Sequence, residues 1–197
     1  MAAPAGEVLY FQPMESLVAL LRGVNVVGNN QISMDTLRKI CVSLKLRNPQ
    51  TFIQSGNVVF GSADSDLAKL AARLESAIEK RCGFRPSVIL RSAGHLREVV
   101  ARNPFPEGRN LDPAKLAVFF LAEKPSAEIA AKVAAISVGN EELHLVGREL
   151  FVYFPEGQGR SKLLPVLQRT LKMPATARNW NTVTKLLAMA ETHGAAK

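Results

Sequence analysis

Four short polar segments carry the residues of this chain that could recognise or transform a ligand, and the densest lies near the C terminus. From Arg178 to Lys185 it combines two cations with asparagine, threonine and the only tryptophan. Cationic and amide donors suit the binding of an anion through charge-assisted hydrogen bonds. In the alternative, structural interpretation, Asn179 or Asn181 caps a helix and Trp180 packs against the protein body. The sequence leaves both interpretations open.

The second segment, residues 22–30, leaves an apolar strand and leads into a predicted helix. Backbone N–H groups in such a loop can hold an anion, and Arg22 could add a bidentate contact. Asn25 and Asn29 are the other candidate ligand-binding residues here. Neither glycine-rich nucleotide fingerprint, GxxxxGK[ST] or GxGxxG, is present. The alternative is a long loop whose asparagine side chains bond its own backbone.

The third segment, Ser55-Gly56-Asn57, separates two β-rich stretches. This pattern is typical of a tight hairpin turn, because glycine and asparagine tolerate the dihedral angles of such turns. We favour that structural interpretation. In the functional alternative, Ser55 and Asn57 offer a hydroxyl and an amide to a ligand at the end of the sheet.

Arg160, Ser161 and Lys162 form the fourth segment, which comes after two glycines at the predicted start of a helix. Ser161 is predicted to be the N-cap of that helix. Two cations in a first turn oppose the helix dipole, which favours negative charge there. We therefore expect an anion nearby, either a bound phosphate or an acidic partner. The segment lacks the residue order of a phosphate loop, so it does not predict ATP hydrolysis.

Common catalytic and metal-binding arrangements are missing from the sequence. His95, His144 and His193 are widely separated, and no Ser-His-Asp pattern, Cys-His pattern or pair of carboxylates is recognisable. No cluster of potential metal ligands is visible, and no cofactor is indicated. Chemistry would rest on arginine, lysine, serine and asparagine, a set better suited to binding anions than to breaking bonds.

The composition is that of an ordinary globular protein with an excess of basic residues. Of 197 residues, 47% are hydrophobic and 21% are charged, and the formal net charge is +8. This charge favours anionic partners such as nucleotides, nucleic acid or phosphorylated metabolites. Cys41 and Cys82 fit neither a disulfide nor a zinc framework. Without such a framework or a signal peptide we expect a cytosolic protein, and no apolar stretch approaches the roughly 20 residues that span a bilayer.

Residues 1–13, MAAPAGEVLYFQP, differ in composition from the rest of the chain. A second methionine, Met14, comes directly after them and precedes a strand pattern. We interpret these residues as a protease-site remnant or an over-extended start and exclude them from the fold.

Apolar periodicity and turn residues predict the elements that position the four segments. In the first half, strands are predicted at 16–22, 51–54, 58–60 and 87–90, with a helix from 33 that ends before Asn48-Pro49 and further helices at 64–81 and 92–101. In the second half, strands are predicted at 115–121, 141–146, 149–154 and 176–178, with helices at 125–136, 161–172 and 180–190.

The order of these elements predicts the fold class and the domains. It is α+β, with two ferredoxin-like (α/β-plait) subdomains in which βαββαβ is repeated, and an extra C-terminal helix. The first subdomain is predicted at 14–91, a helix and linker at 92–113, the second subdomain at 114–190 and a tail at 191–197.

The four segments together resemble a known family. LLRGVNVVGNNQISM, TFIQSGNVVF, GRSKL and PATARNWNTVTKL, in this order and spacing, resemble the bacterial family DUF1697, a domain of unknown function. The resemblance covers roughly residues 14–190 and implies two α/β-plait subdomains, but it implies no activity. The family pattern maps onto Arg22, Gly23, Asn25, Gly28, Ser55, Gly56, Asn57, Ser161, Lys162, Arg178, Asn179, Trp180, Asn181 and Lys185. Gln31 stands where many relatives are expected to have lysine.

These observations lead to three functional hypotheses. The first is a binding protein in which all four segments meet at one basic cleft between the subdomains and hold a phosphorylated small molecule or a nucleotide. The second is an enzyme on such a substrate, with Ser161 or Lys162 reacting and Arg22 and Arg178 as charge clamps. The third is a nucleic-acid-binding protein, which would need exposed aromatic residues on its central strands. If the first is right, Arg178→Ala and Lys162→Ala should abolish ligand-induced thermal stabilisation and leave the fold intact; if both variants unfold, the segments are structural.

Overall fold

The computed structural model describes residues 14–26, 28–105, 109–137 and 139–195. The predicted extension, residues 1–13, lies outside this part of the chain. The α+β class is confirmed: two four-stranded antiparallel sheets are accompanied, within the described residues, by six α-helices.

The first half of the molecule contains the first sheet and three helices. Its elements are β1 (Glu15–Leu21), α1 (Met34–Ser43), β2 (Arg47–Phe52), β3 (Asn57–Ser62), α2 (Leu67–Cys82), β4 (Val88–Ser92) and α3 (Ala93–Ala101). The strand order in the sheet is β2-β3-β1-β4, with antiparallel pairing throughout. The first strand is thus central, and the last strand lies at an edge.

The second half contains the second sheet and the other three helices. Its elements are β5 (Leu116–Leu121), α4 (Ala127–Ala134), β6 (Glu142–Val146), β7 (Glu149–Tyr153), α5 (Leu163–Leu171), β8 (Ala175–Asn179) and α6 (Trp180–Ala195). The strand order in this sheet is β6-β7-β5-β8. It repeats the order of the first sheet, with β5 to β8 in the positions of β1 to β4. The two sheets are consistent with two ferredoxin-like subdomains.

The central strands β1 and β5 are apolar on both faces because each sheet packs against other elements on both of its faces. Side chains such as Leu17 and Ala19 of β1 face α1 and α2, and Ala117 and Phe119 of β5 face α4 and α5. The opposite faces share a third core, to which α3 and α6 contribute. Its strand members are Val18, Leu20, Val59, Ile89, Leu116, Val118, Phe120 and Phe151. The halves are therefore joined by a continuous apolar interior.

Two predicted element boundaries are wrong, one at Asn48-Pro49 and one at the C-terminal tail, and these two regions contact each other. Asn48-Pro49 does not end a helix but lies inside β2, an edge strand whose register shifts between Arg47 and Gln50. Proline is tolerated there because an edge strand leaves N–H groups unpaired. The predicted tail is also helical as far as Ala195, and His193 Nε2 lies 3.0 Å from the Asn48 carbonyl oxygen. This last turn of α6 covers the edge strand.

Gly56 ends the turn between β2 and β3 and lies against the first strand. Its φ is +76°, and a Cβ atom added there would lie 2.5 Å from Val24 Cγ2 and 2.8 Å from Leu21 Cβ. Its carbonyl oxygen accepts a hydrogen bond from Leu21 N at 2.8 Å. Glycine is needed both for its backbone conformation and for this close approach.

We expect Gly56→Ala to lower the free energy of unfolding by about 2–4 kcal/mol, because a disfavoured φ and overpacking add together. Urea denaturation followed by circular dichroism would measure the change. Gly147→Ala is the matched control, since Gly147 has a φ of +68° in the turn between β6 and β7 but open space around it. Equal losses in the two variants would show that close approach does not matter at Gly56.

Candidate ligand site between the two halves

Arg178 is the fourth residue of β8, and its side chain reaches across to the first half of the molecule. It is 7% exposed. Nε donates to Asn57 Oδ1 at 2.5 Å, and one terminal nitrogen, Nη2, donates to the carbonyl oxygens of Leu21, Ser55 and Gly56 at 2.8, 3.1 and 3.3 Å. The other terminal nitrogen bonds within β8. Every nitrogen of the guanidinium group thus has a partner inside the protein.

The positive charge of Arg178 has only neutral hydrogen-bond acceptors. Among the residues that the structure describes, no carboxylate bonds to this guanidinium group. Burial lowers its pKa to about 10, so the side chain remains charged at neutral pH. A buried charge is usually paired with an opposite one, and Arg178 is an exception.

Arg91 occupies the equivalent position in the first half and shows what Arg178 lacks. Arg91 is the fourth residue of β4 and is 1% exposed. Its Nη2 donates to the Leu121 carbonyl oxygen at 2.7 Å, as Arg178 does to Leu21, and its Nε donates to Glu149 Oε1 at 2.9 Å. Leu21 and Leu121 end β1 and β5. The two arginines form a reciprocal clasp between the halves.

The clasp is chemically asymmetric at one position. Glu149 is the first residue of β7, and its counterpart at the start of β3 is Asn57. Glu149 also accepts a hydrogen bond from His95 Nε2 when that nitrogen carries the proton, at 2.9 Å. Asn57 instead donates to Phe52 O and Ser55 Oγ, both at 3.0 Å. One arginine is neutralised, and the other adds a positive charge to the junction.

Arg22 comes directly after the strand end that Arg178 holds. Because the Leu21 carbonyl oxygen is bound by Arg178 and Arg22 N donates to Ser87 O at 2.9 Å, the backbone on both sides of Leu21 is fixed. The Arg22 side chain is exposed and lines a cleft of about 590 Å³. All other lining residues belong to the second half: Phe119, Leu164, Pro165, Leu167, Gln168, Leu171, Lys172, Met173, Pro174 and Ala175.

The other candidates in the first half serve the local backbone. Asn25 Nδ2 donates to the carbonyl oxygens of Ile32 and Gln54, and its Oδ1 accepts from Ile32 N. Asn29 is exposed, and its backbone N–H bonds within the loop. Ser55 Oγ accepts the hydrogen bond from Asn57. These contacts match the structural interpretations, and Asn25 also joins the loop to the hairpin turn beneath Arg178.

The segment with Arg160, Ser161 and Lys162 lies at a separate cavity of about 360 Å³, which none of the residues around Arg22 lines. The prediction that Ser161 is the N-cap of α5 is wrong. The helix begins at Leu163, so Lys162 occupies the N-cap position. Ser161 Oγ accepts from Leu163 N and donates to the Glu141 carboxylate. Glu141 and a second acidic residue, Glu156, line the same cavity. Two carboxylates thus lie at the same cavity as the two cations.

The C-terminal segment is divided between structural roles. Asn179 Oδ1 accepts from Asn181 N at the start of α6, and its Nδ2 donates to Ala114 O at 2.7 Å. Trp180 packs against Phe151, with ring centroids 6.3 Å apart, and lines a cavity between α3 and α6 whose described lining residues are uncharged. Asn181 and Lys185 are exposed on α6, and neither lines the cleft with Arg22.

The four segments therefore do not meet in a single cleft. Arg178 belongs to the C-terminal segment, and it bonds to the segment at residues 55–57, which Asn25 of the segment at 22–30 contacts through Gln54. The segment with Arg160, Ser161 and Lys162 takes no part in these contacts. Arg178 is a buried clasp and not an exposed ligand clamp, so we expect Arg178→Ala to destabilise the fold and not to leave it intact. Ser161 and Lys162 share no cavity with Arg22. The enzyme hypothesis needs these residues to act on one substrate, and the structure does not bring them together.

Lys172 and Gln168 line the cleft but were not predicted from the sequence. Both lie about 150 residues from Arg22 in the chain, so local patterns cannot connect them. Arg91 and Glu149 were also missed, although a charged residue inside the apolar strand VILRS is a recognisable signal of a buried ion pair.

Two further functions lack support in the described part of the chain. No group of three or more histidine, cysteine, aspartate or glutamate side chains is arranged there to hold a metal ion. No helix among the described residues has the length and apolar character needed to cross a membrane.

The chain is similar to known proteins by sequence and by structure. A family model described as "Protein of unknown function (DUF1697)" matches residues 14–151. The solved structure of conserved bacterial protein SP0830 from Streptococcus pneumoniae is similar with a TM-score of 0.73 and 27% sequence identity, over 90% of this chain and 99% of that chain. No curated protein matches. Neither description names a ligand or an activity.

Proposed function

Because the chain belongs to the DUF1697 family, whose description assigns no activity, we propose a function from geometry: it binds a phosphorylated small molecule or a nucleotide. The proposed site is the cleft of about 590 Å³ between Arg22 and α5. The observation that carries the proposal is the charge of this junction. Arg22 and Lys172 line the cleft, and the uncompensated Arg178 lies directly behind the strand end that leads to Arg22.

The charges around the cleft favour an anion. Within the described residues, no carboxylate lines it, and neither Arg22 nor Lys172 forms a salt bridge with a described side chain. Cations in a partly enclosed cleft attract and bind phosphate more strongly than cations on an open surface. A phosphate group would supply the negative charge that Glu149 supplies in the other half of the clasp.

Lys172 supports the proposal through its backbone conformation. It comes after α5 with a φ of +52°, the left-handed conformation in which helices usually place glycine. A lysine there carries a conformational cost that glycine would avoid. A binding role gives this side chain a reason to be present, although a cation also interacts favourably with the C-terminal end of a helix dipole.

The proposal also concerns where the protein acts in the cell and how its two halves arose. We propose that the protein acts in the cytoplasm, where phosphorylated metabolites and nucleotides are abundant, and that its two halves are duplicated βαββαβ units. Equivalent clasp positions in β4 and β8 support the duplication. Nucleic-acid binding through a sheet face is less well supported, since the strand aromatics Phe60, Phe120 and Phe151 are buried.

We expect Arg22→Ala and Lys172→Gly each to weaken phosphate-ligand binding by about tenfold or more, because a hydrogen bond to a charged group contributes roughly 1.5–3 kcal/mol. Lys172→Gly should fold at least as stably as the wild type, since glycine adopts its φ without cost. Isothermal titration calorimetry with a panel of nucleotides and phosphorylated metabolites would measure both.

Lys162→Ala is the matched control, because Lys162 lies at the separate cavity with Glu141 and Glu156. It should bind as the wild type does. Loss of binding in Lys162→Ala alone would move the site to that cavity, and a wild-type protein that binds no member of the panel would refute the proposed function.

A further inference from the structure

The walls of the cleft differ in chemistry from its rim. Apart from Arg22, Gln168 and Lys172, every described residue that lines the cleft is apolar. These apolar residues belong to β5, to α5, or to the segment from Met173 to Ala175, the first residue of β8. They are Phe119, Leu164, Pro165, Leu167, Leu171, Met173, Pro174 and Ala175. A ligand that fills this cleft contacts carbon over most of its surface.

This wall is poorly suited to a sugar. Each hydroxyl group that leaves water needs a hydrogen-bond partner, and burying one without a partner is unfavourable. Of the lining side chains in the described structure, only Gln168 offers an uncharged polar group. An apolar body, in contrast, gains free energy in proportion to the area that it buries. The wall therefore selects against ribose and hexose bodies and in favour of aryl or alkyl ones.

The wall is also accessible. Leu164 and Met173 are only partly buried, and Pro165 and Pro174 are exposed, so apolar surface remains open to a ligand. The helix α5 supplies Leu164 and Leu167 from one face, and the left-handed turn at Lys172 brings the next residues to the same cleft. Two cations thus lie beside an open apolar surface.

We propose, resting on the proposed function, that the ligand is a phosphate monoester with an apolar aryl or alkyl body. Its phosphate group lies between Arg22 and Lys172, and its body lies against Leu164, Met173 and the neighbouring prolines. Nucleotides and sugar phosphates are then the weaker members of the ligand panel.

The test compares three probes on the full-length protein by calorimetry: inorganic phosphate, glucose 6-phosphate and 1-naphthyl phosphate. We expect 1-naphthyl phosphate to bind at least about tenfold more tightly than either of the others. If glucose 6-phosphate binds as tightly or more tightly, the apolar-body inference is wrong and the proposed function stands. If none of the three binds, the apolar-body inference fails, and the panel of nucleotides and phosphorylated metabolites then decides the proposed function.

Two variants separate the wall from the rim. Met173→Gln should reduce the preference for 1-naphthyl phosphate over inorganic phosphate several-fold, whereas Arg22→Ala should weaken all three probes. Val42→Gln removes an exposed apolar side chain of α1 that does not line the cleft and should change nothing. A preference that falls in Val42→Gln, or that survives in Met173→Gln, would place the naphthyl group elsewhere and overturn the inference.

Discussion

Replacing Glu149 by alanine is expected to lower the free energy of unfolding by about 3–5 kcal/mol, because Arg91 would remain buried without its carboxylate. Arg91 is 1% exposed and bonds to Glu149 Oε1 at 2.9 Å. His95 bonds to the same carboxylate oxygen, so both Arg91 and His95 would lose a partner. Chemical denaturation monitored by tryptophan fluorescence would measure the loss, since Trp180 contacts the neighbouring Phe151.

The double variant Arg91→Met/Glu149→Leu is the control for this prediction. Replacement of a whole buried ion pair by apolar residues of similar volume is often close to neutral. We expect the double variant to recover most of the stability that Glu149→Ala loses. A double variant as unstable as the single one would show that the unpaired charge of Arg91 does not cause the loss, and would attribute it to the hydrogen bonds of Glu149 that both variants lack.

The same pair predicts sensitivity to acid. Burial acts to raise the pKa of Glu149, but the hydrogen bond from His95 and the charge of Arg91 outweigh it, so the pKa lies below its usual 4.5. A lowered folded-state pKa contributes stability above the unfolded-state value, and that contribution disappears as the pH falls through the folded-state pKa. The stability difference between wild type and Glu149→Gln should therefore be full at pH 7 and shrink below about pH 4.5.

The second large effect is expected for Arg178→Ala, which should lower the free energy of unfolding by about 3–4 kcal/mol. The variant would leave the buried carbonyl oxygen of Leu21 and the amide oxygen of Asn57 without donors from this side chain, and each buried unsatisfied group costs roughly 1–3 kcal/mol. The Gly56 carbonyl oxygen keeps its hydrogen bond from Leu21 N. The desolvation cost of the arginine is relieved at the same time, which limits the total. Thermal and urea denaturation would both report the change.

Ligand affinity is a second measurement on Arg178 variants, beside stability. If the charge of Arg178 contributes to the site, ligand affinity depends on whether that charge is kept. Arg178→Lys keeps the charge but loses the planar fork of donors, so it should be destabilised while retaining more affinity for a phosphate ligand than Arg178→Ala. Equal affinity in the two variants would show that the charge of Arg178 does not contribute to the site. Wild-type stability in Arg178→Ala would show that the clasp does not hold the halves together.

Most of the fold could be predicted from the sequence because its signals are local. The apolar run SLVALLR indicates β1, the alternation of elements indicates an α+β class, and Gly56 beside Asn57 indicates a turn. The errors arose where distant contacts override local preference. Asn48-Pro49 is compatible with a strand only because β2 lies at an edge, and α6 extends to Ala195 because it packs over that edge.

The site was predicted less well, for a related reason. The sequence identified Arg178 and Arg22 by type but not their environments. Arg178 is buried by elements about 120 to 160 residues away in the chain, so its role changed from an exposed clamp to a clasp. Lys172 carries no distinguishing sequence signal, and only the tertiary structure places it at the same cleft as Arg22.

The four polar segments indicated the family of this chain, which the match over residues 14–151 shows, and they contain the residue types available for binding an anion. The tertiary structure decided which of those residues hold the fold and which face a cavity, because burial and hydrogen-bond partners depend on how the two sheets pack. Asn57 stands where the other half has Glu149, and this difference is visible only once the halves are matched through their clasps. It leaves one buried arginine without a counter-charge at the strand end that leads to Arg22.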